Sequence, residues 1–259
     1  MLGTLIFEWD AGAKEAKLML NGQVVLHPEV LKKGWREPKV HSEGKRFYAR
    51  RLAEVAKHYG FDGYLMNFEC QIKDTDVLLD WLVILKEEIR KLIPEGIVIW
   101  YDSVLHDGQL RWQSALNDKN YRFFQATDGF FTDYHWQPGH LDVTKRAFDE
   151  HMQSHTTWDI FYGNDTYGRG TFGGGQLNIH KALEEIERYP YSISLFGQAF
   201  WYERNHDFTA FRINEDIFWR GRGLRLMADS GGKIAASRTK VDMMRDWELR
   251  EGEGFWKVV

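Results

Sequence analysis

An α/β fold is predicted for this chain of 259 residues by two features of its sequence. Short apolar runs rich in β-branched and aromatic residues recur along the chain, and segments with helical hydrophobic spacing lie between them. Strands that alternate with helices at this spacing form parallel sheets, in which each helix crosses from one strand to the next. The length suits one large domain of this kind.

Six apolar runs predict six strands, and the segments between them predict helices. The strand runs are GTLIFEW (3–9), GYLMNFE (63–69), IVIWYDS (97–103), GFFTDYHW (129–136), DIFYGND (159–165) and SISLFGQAF (192–200). The predicted helices cover residues 43–59, 76–92, 139–152 and 178–188, with another near 109–117. In the second helix Leu78, Leu82, Leu85 and Ile89 recur every three or four residues, as on one helix face.

The ends of the strand runs favour a (β/α) TIM-type barrel over an open doubly wound sheet. Each run finishes in polar or aromatic residues: Glu8, Glu69, Asp102, Tyr134, Asp165 and Gln198. A barrel carries functional residues at the C-terminal end of nearly every strand, whereas an open sheet concentrates them at one switch point. The chain has no glycine-rich nucleotide fingerprint, and we interpret the GGG at 173–175 as a turn.

Composition and charge exclude several classes of protein. The net charge of −4 gives no reason to expect nucleic acid or an anionic membrane as partner. The single cysteine, Cys70, excludes an internal disulfide and fits a reducing compartment. No apolar run is long enough to span a bilayer, and the N-terminal MLGTLIFEWD does not resemble a signal peptide. A cytosolic protein is therefore expected.

The stretch FDGYLMNFEC, residues 61–70, ends a buried-looking strand with an amide and an acid. Asn67 and Glu69 lie two residues apart, so a strand directs both side chains to the same face. Glu69 alone fits a structural ion pair at the barrel rim as well as a catalytic acid. An amide beside an acid favours substrate-assisted glycoside hydrolysis, in which the 2-acetamido oxygen of the sugar is the nucleophile.

Aromatic residues make up 15% of the chain, and several tryptophans stand beside polar residues at the predicted strand ends. These segments read EWD, WYDS, YHWQPG and FWYER. Exposed aromatic faces at such positions stack on sugar rings, whereas in the alternative reading the same residues fill a large core. The ten histidines show no HxH or HExxH spacing, so no metal site is expected.

Five segments in order resemble the cytosolic endo-β-N-acetylglucosaminidases of glycoside hydrolase family 85. They are GFDGYLMNFE, VIWYDSVLHDGQLRWQ, DGFFTDYHW, GNDTYGRG and SLFGQAFWYE, and the resemblance covers roughly residues 2–220. It implies cleavage between the two N-acetylglucosamines of an N-glycan core through an oxazoline, with retention and without metal or cofactor. N-glycans or glycopeptides are the implied partners, and the cytosol is the implied location.

The resemblance also implies roles for individual residues. Asn67 would orient the acetamide, and Glu69 would act as general acid and then as general base. Tyr101 would also contact the acetamide. The remaining implied sugar-binding residues are Trp112, Trp136, Trp201, Tyr202, Glu203 and Asp165.

Some of these residues also have structural alternatives. Tyr101 fits a buried phenol bonded to backbone, and Trp112 fits a residue that packs a helix onto the sheet. Asp165 could pair with Arg169 and shape its loop instead of contacting a glycan. Asp102, which is not among the implied site residues, fits a rim hydrogen bond to a loop N–H as well as one to a ligand hydroxyl, and the structural alternative is favoured.

The sequence differs from the family pattern at both ends of the chain. The visible units correspond to strands two to seven of eight, so the barrel, assigned to residues 1–220, is expected to be incomplete. Residues 221–259 are rich in glycine and charge and stay unassigned. An unclosed barrel exposes strand edges, so poor solubility or inactivity is expected of residues 1–259 alone. The alternative function is that of a non-catalytic glycan-binding partial barrel.

Overall fold

Six parallel strands form a single sheet in the computed structural model, which describes residues 1–23, 43–197, 199–204 and 207–212. The strands are β1 (Gly3–Glu8), β2 (Gly63–Glu69), β3 (Ile97–Tyr101), β4 (Gly129–Phe131), β5 (Ile160–Asp165) and β6 (Ser192–Phe196). All six predicted strands are confirmed. The last predicted strand end, Gln198, and the unassigned segment 221–259 lie outside the described residues.

The strands are hydrogen-bonded in the order of the sequence, from β1 to β6, and every pair is parallel. A doubly wound sheet reverses its strand order at a switch point, whereas a barrel wall does not. The predicted barrel-type α/β fold is therefore confirmed. Among the described residues β1 and β6 do not pair with each other, so the six strands form an open wall.

Helices follow most strands and cover the outer face of the wall. Their bounds are α1 (Trp9–Leu20), α2 (Arg46–Tyr59), α3 (Thr75–Leu92), α4 (Tyr121–Ala126), α5 (Pro138–His151), α6 (His180–Ile186) and α7 (Phe200–Arg204). The helices predicted over 43–59, 76–92, 139–152 and 178–188 are confirmed. Helix α1 was not predicted, although Ala16, Met19 and Leu20 form its buried side.

The helix expected near 109–117 is wrong, because this segment belongs to a loop that hydrogen-bonds to its own start. Val104 and Leu110 form an antiparallel bridge, and the Arg111 N–H donates to the Ser103 carbonyl at 2.7 Å. Gly108 and Ser114 both have positive φ values, 83° and 57°, which a helix excludes. The loop delivers Trp112 to the surface near the C-terminal end of β3.

The two faces of the sheet carry different side chains. The outer face contributes large rings to the main core beneath the helices: Phe68 stacks on Trp100 at 5.6 Å, and Trp100 stacks on Phe123 of α4 at 4.4 Å. The inner face holds a separate, smaller cluster of side chains, made of Leu65, Ile99, Tyr101, Phe131 and Phe161. Polar residues that follow this cluster along the strands therefore converge on the C-terminal rim of the inner face.

No helix within the described residues combines the length and the apolar character that crossing a membrane requires.

Candidate active site

Asn67 and Glu69 occupy the inner face at the C-terminal end of β2. The Asn67 amide Nδ2 donates to Glu69 Oε1 at 3.1 Å, which confirms that the two side chains share a face. Phe68, between them, points into the core on the other side of the sheet. Both polar side chains are half-buried, so the pair is shielded and still open to a ligand.

The surroundings of Glu69 favour its protonated form. Burial is the largest effect and raises the pKa of the carboxyl, since a charge is poorly solvated at this depth. The hydrogen bond from Asn67 works in the opposite direction, and the negative charge of Glu8 on β1 raises the pKa again. The net effect is a raised pKa, which a carboxylic acid needs if it is to donate a proton near neutral pH.

The Asn67 carbonyl oxygen, Oδ1, is buried and accepts no hydrogen bond from the described residues. A buried polar atom without a partner costs about 1–3 kcal/mol. The amide nitrogen is already held by Glu69, which fixes the orientation of the Asn67 amide. A ligand that brings an N–H group to this point would recover the lost interaction.

Two tyrosines line the same rim. Tyr101 ends β3 in register with Phe131, and its ring lies 6.2 Å from the ring of Tyr134, which follows β4. Burial is the main cause that raises the pKa of both phenols, with smaller contributions from neighbouring acids that include Glu69. Both are therefore neutral hydroxyl groups at neutral pH. In the structural alternative, the Tyr101 hydroxyl bonds to the backbone. Within the described part of the chain, no such bond is present.

Tyr134 reaches the rim because Gly163 of β5 has no side chain. A Cβ at residue 163 would lie 2.9 Å from the Tyr134 ring and 2.5 Å from the Thr132 carbonyl oxygen. On the other side, the Tyr134 ring contacts Phe196 of β6 at 5.2 Å. In the sequence, Tyr134 and Glu8 are distinguished only by their position at strand ends, and that position is the one signal pointing to them.

Asp102 is a buried acid that organises the loop after β3. It accepts hydrogen bonds from the Gln113 backbone N–H at 3.1 Å and from Asn120 Nδ2 at 3.0 Å. Burial, with a smaller contribution from Asp133, raises the pKa of its carboxyl to about 8. The expected bond to a loop N–H is confirmed. This bond fixes Gln113, the residue next to Trp112, and Trp112 as a whole residue is 37% exposed.

The expected stacking of Trp136 on a sugar must be corrected. Its side chain is fully buried, its ring packs edge-on against Tyr162 at 5.4 Å, and it also contacts Phe172. Its indole N–H donates to the Gly163 carbonyl at 2.8 Å. A ring without an accessible face cannot stack on a sugar, so Trp136 packs the end of β4 against β5.

The two tryptophans should respond oppositely to replacement by alanine. For Trp136→Ala we expect the free energy of unfolding to fall by about 3–5 kcal/mol, because a large buried ring is lost and the Gly163 carbonyl loses its donor. Trp112→Ala should change stability little and weaken glycan binding. Thermal or denaturant unfolding and a glycan-binding titration measure the two effects. Equal destabilisation by both variants would contradict this division.

Asp165 also has a structural position. Its carboxylate is almost fully buried and accepts hydrogen bonds from the Tyr167 N–H at 3.0 Å and from the Arg169 side chain at 2.7 Å. The Arg169 guanidinium lies over the rings of Tyr167 and Phe196. Both Asp165 oxygens thus hold the loop after β5. Of the two alternatives for Asp165, an ion pair with Arg169 or a glycan contact, the structure shows the ion pair.

The rim segment on α7 separates into buried and exposed side chains. Trp201 is buried and contacts Phe200 edge-on at 5.0 Å. Tyr202 is well exposed, with its ring edge-on to Phe211 at 5.5 Å. Glu203 is exposed and hydrogen-bonds the Tyr167 hydroxyl, which raises the pKa of that phenol. The predicted sugar contact of Trp201 must therefore be corrected, because its ring is buried, whereas Tyr202 and Glu203 stay predicted sugar contacts.

Two further groups lie apart from the rim cluster. Cys70 is buried, and burial raises the pKa of its thiol to about 11, so it packs in the wall as an unreactive side chain. Within the described ranges, Asp118, Glu150 and His151 are grouped with ligand atoms within 4.8 Å of one another, and the two acids are exposed. Exposed acidic groups of this kind are common without a metal.

The chain matches a protein-family model and several characterised proteins. The family model described as Glycosyl hydrolase family 85 matches residues 1–252. The cytosolic endo-beta-N-acetylglucosaminidase of Danio rerio is 36% identical over 220 residues, covering 84% of this chain and 28% of the relative. The protein of the same name from Homo sapiens is 32% identical over 221 residues, covering 85% and 26%. This chain thus spans roughly a quarter of the length of both relatives.

A solved structure shares the fold. The glycoside hydrolase domain of Endo-D from Streptococcus pneumoniae R6 superposes with a TM-score of 0.65 at 22% sequence identity. The match covers 85% of this chain and 34% of that chain. At this identity the similarity shows the common architecture of the wall.

Proposed function

Because the chain belongs to glycosyl hydrolase family 85, we propose that it carries the catalytic wall of an endo-β-N-acetylglucosaminidase. The proposed substrate is the bond between the two core N-acetylglucosamines of an N-glycan or glycopeptide. The observation that carries the proposal is the unpaired, buried Asn67 carbonyl beside a Glu69 whose pKa is raised. This pair matches a substrate that presents an acetamide N–H next to a bond that needs a proton.

In the first proposed step, the acetamide carbonyl oxygen of the sugar attacks its own anomeric carbon. The bond to the leaving sugar breaks, and Glu69 donates its proton to the departing oxygen. Asn67 Oδ1 accepts the acetamide N–H, which fixes the carbonyl towards the anomeric carbon and stabilises the positive charge that develops on the nitrogen. The neutral Tyr101 hydroxyl can bond the same group from the neighbouring strand. The products of this step are an oxazolinium ion, which keeps the acetamide N–H proton, the released sugar alcohol and a carboxylate at Glu69.

In the second proposed step, Glu69 acts as general base. Its carboxylate takes a proton from water, and the water oxygen bonds to the anomeric carbon. The bond from that carbon to the ring oxygen of the oxazolinium ion breaks, and the neutral acetamide with its N–H proton is restored. Two displacements at one carbon give net retention. Glu69 ends the cycle protonated, so no metal or cofactor is needed to balance the reaction.

The remaining proposals concern binding and location. Trp112, held by the loop that Asp102 anchors, presents the exposed ring on which a sugar of the glycan can stack. A cytosolic location is proposed because the curated relatives are named cytosolic. Nucleic acid and membrane surfaces are not proposed as partners, since the net charge is −4.

The proposal is tested by incubating the protein, purified in a form in which the barrel is complete, with a glycoprotein that carries an N-glycan of known composition, because residues 1–259 alone are expected to be inactive. The expected product is a glycan with one N-acetylglucosamine at its reducing end, detected by mass spectrometry, and first formed as the β-anomer in NMR spectra. A released glycan that keeps both core sugars, or initial α-anomer, would contradict the proposal. Glycan binding without any cleavage would favour the non-catalytic alternative.

A further inference from the structure

Glu8 faces Glu69 across the first strand pair of the wall. β1 and β2 are parallel and in register along their whole length, and Glu8 pairs with Glu69 at the C-terminal end. Residues paired in this way direct their side chains to the same face of the sheet. Two carboxyl groups on adjacent strands thus stand side by side at the rim.

The packing on the other side of the sheet fixes which face this is. Phe7 and Phe68, the residues that precede Glu8 and Glu69, have ring centroids 5.0 Å apart and belong to the main core under the helices. Side chains alternate along a strand, so Glu8 and Glu69 point the other way, to the inner face. Glu8 is exposed, whereas Glu69 is half-buried.

Four groups interact with Glu69 from the elements around it. Asn67 on the same strand donates a hydrogen bond, and Glu8 on β1 contributes a negative charge. Tyr101 and Tyr134, from β3 and from the loop after β4, are neutral phenols within electrostatic range. Among these four groups, Glu8 is the one that is a carboxyl group.

We propose that Glu8 is a positioning residue for the general acid: its negative charge disfavours a second charge on Glu69 and so keeps the proton there. The inference rests on the proposed function in one respect, namely that Glu69 is the proton donor. The different exposure of the two carboxyl groups suits this role, because burial raises the pKa of Glu69 and Glu8 is exposed to solvent. Nothing in the proposed reaction requires Glu8 to touch the reacting atoms.

The sign of the effect follows from the charges. A general acid works while it is protonated, so the alkaline limb of the kcat/KM profile reports the pKa of Glu69 in the free enzyme. Glu8→Gln removes the negative charge and should move this limb to lower pH by about 0.5 unit, the effect of a unit charge about 6 Å away in a water-like dielectric. At pH values above this limb, the kcat/KM of Glu8→Gln should be about threefold lower than that of the unmodified protein.

Glu8→Lys extends the test, because it replaces a negative by a positive charge. The limb should move in the same direction by about twice as much, with kcat/KM above it about tenfold below that of the unmodified protein. A residue with only a structural role would lower activity at all pH values and leave the limb in place. A charge effect therefore predicts that the pH of the alkaline limb falls in steps, from the unmodified protein to Glu8→Gln and again to Glu8→Lys.

Glu15 supplies the matched control. It is an exposed glutamate on α1, more than one turn from Glu8, and carries the same charge. Glu15→Gln and Glu15→Lys change the net charge of the protein by the same amounts and should not move the limb. A shift equal to that of the Glu8 variants would overturn the inference, because it would be an effect of net charge.

A direct titration separates this inference from the proposed function. The carboxyl carbon of Glu69, assigned by its disappearance in Glu69→Gln, can be followed by NMR across the pH range without any substrate. The Glu69 pKa should fall from the unmodified protein to Glu8→Gln and again to Glu8→Lys. An unchanged midpoint overturns the inference even if the protein hydrolyses N-glycans. A graded midpoint supports it, and absence of cleavage would then count against the proposed function alone.

Discussion

Replacing Glu69 by glutamine is expected to lower kcat/KM for N-glycan hydrolysis by about 100- to 10,000-fold, the range seen when general acid catalysis is lost. Glutamine keeps the shape of the side chain and can still accept the hydrogen bond that Asn67 now donates to Oε1 at 3.1 Å. It has no proton to give to the leaving sugar oxygen. The expected loss therefore comes from chemistry, and the fold and glycan affinity should be retained.

Two comparisons separate this loss from a general defect. On an N-acetylglucosaminide whose leaving group departs without protonation, Glu69→Gln should lose much less activity than it loses on a natural glycan. Glu15→Gln removes an exposed carboxylate from α1, outside the rim, and should leave kcat/KM unchanged. Cleavage of a natural glycan by Glu69→Gln at nearly the unmodified rate would show that another group is the acid.

The sheet could be predicted from the sequence because its determinants are local. Each strand is a short apolar run that ends at a polar residue, and the runs follow one another with room for one helix between them. Helix α1 was missed because its face is lined by small residues such as Gly12 and Ala16, which give little hydrophobic contrast. The segment near 109–117 gave the opposite error: it was predicted to be a helix, but hydrogen bonds to the start of the same loop hold it in another conformation.

The Asn67–Glu69 pair was predictable because period-two geometry alone places the two side chains on one face. The charge of Glu8 beside Glu69 was not, because strand register is set by contacts between segments some 60 residues apart. The two tryptophans expected to stack on sugar illustrate the same limit. Both follow polar loop residues in the sequence, yet packing exposes Trp112 and buries Trp136.

The unpaired carbonyl of Asn67 could not be predicted from sequence at all. An asparagine carries two donors and an acceptor, and only the surrounding atoms decide which of them are satisfied. In the structure the donor side is engaged by Glu69, and the acceptor is left without a partner. A buried group of this kind reduces stability and is ready for a ligand, which is typical of a site arranged for binding.

Asn67→Ala should therefore lower activity while leaving the protein as stable or slightly more stable. Removal of the unpaired buried oxygen removes a cost of about 1–3 kcal/mol, which offsets the loss of the bond to Glu69. For N-glycan hydrolysis we expect a loss of about 100- to 1,000-fold, as when one donor or acceptor that stabilises developing charge is deleted. Unfolding experiments and initial rates on a natural glycan measure the two effects.

A second substrate isolates the step at which Asn67 acts. A preformed sugar oxazoline has already completed the cyclisation that Asn67 assists, so Asn67→Ala should still transfer sugar from this donor to an acceptor. The same variant should move the alkaline limb of the pH profile to higher pH, because the Asn67 hydrogen bond lowers the pKa of Glu69. This shift is opposite to that expected for Glu8→Gln. Equal loss on glycan and oxazoline, with the limb unmoved, would mean that Asn67 only supports the fold of the rim.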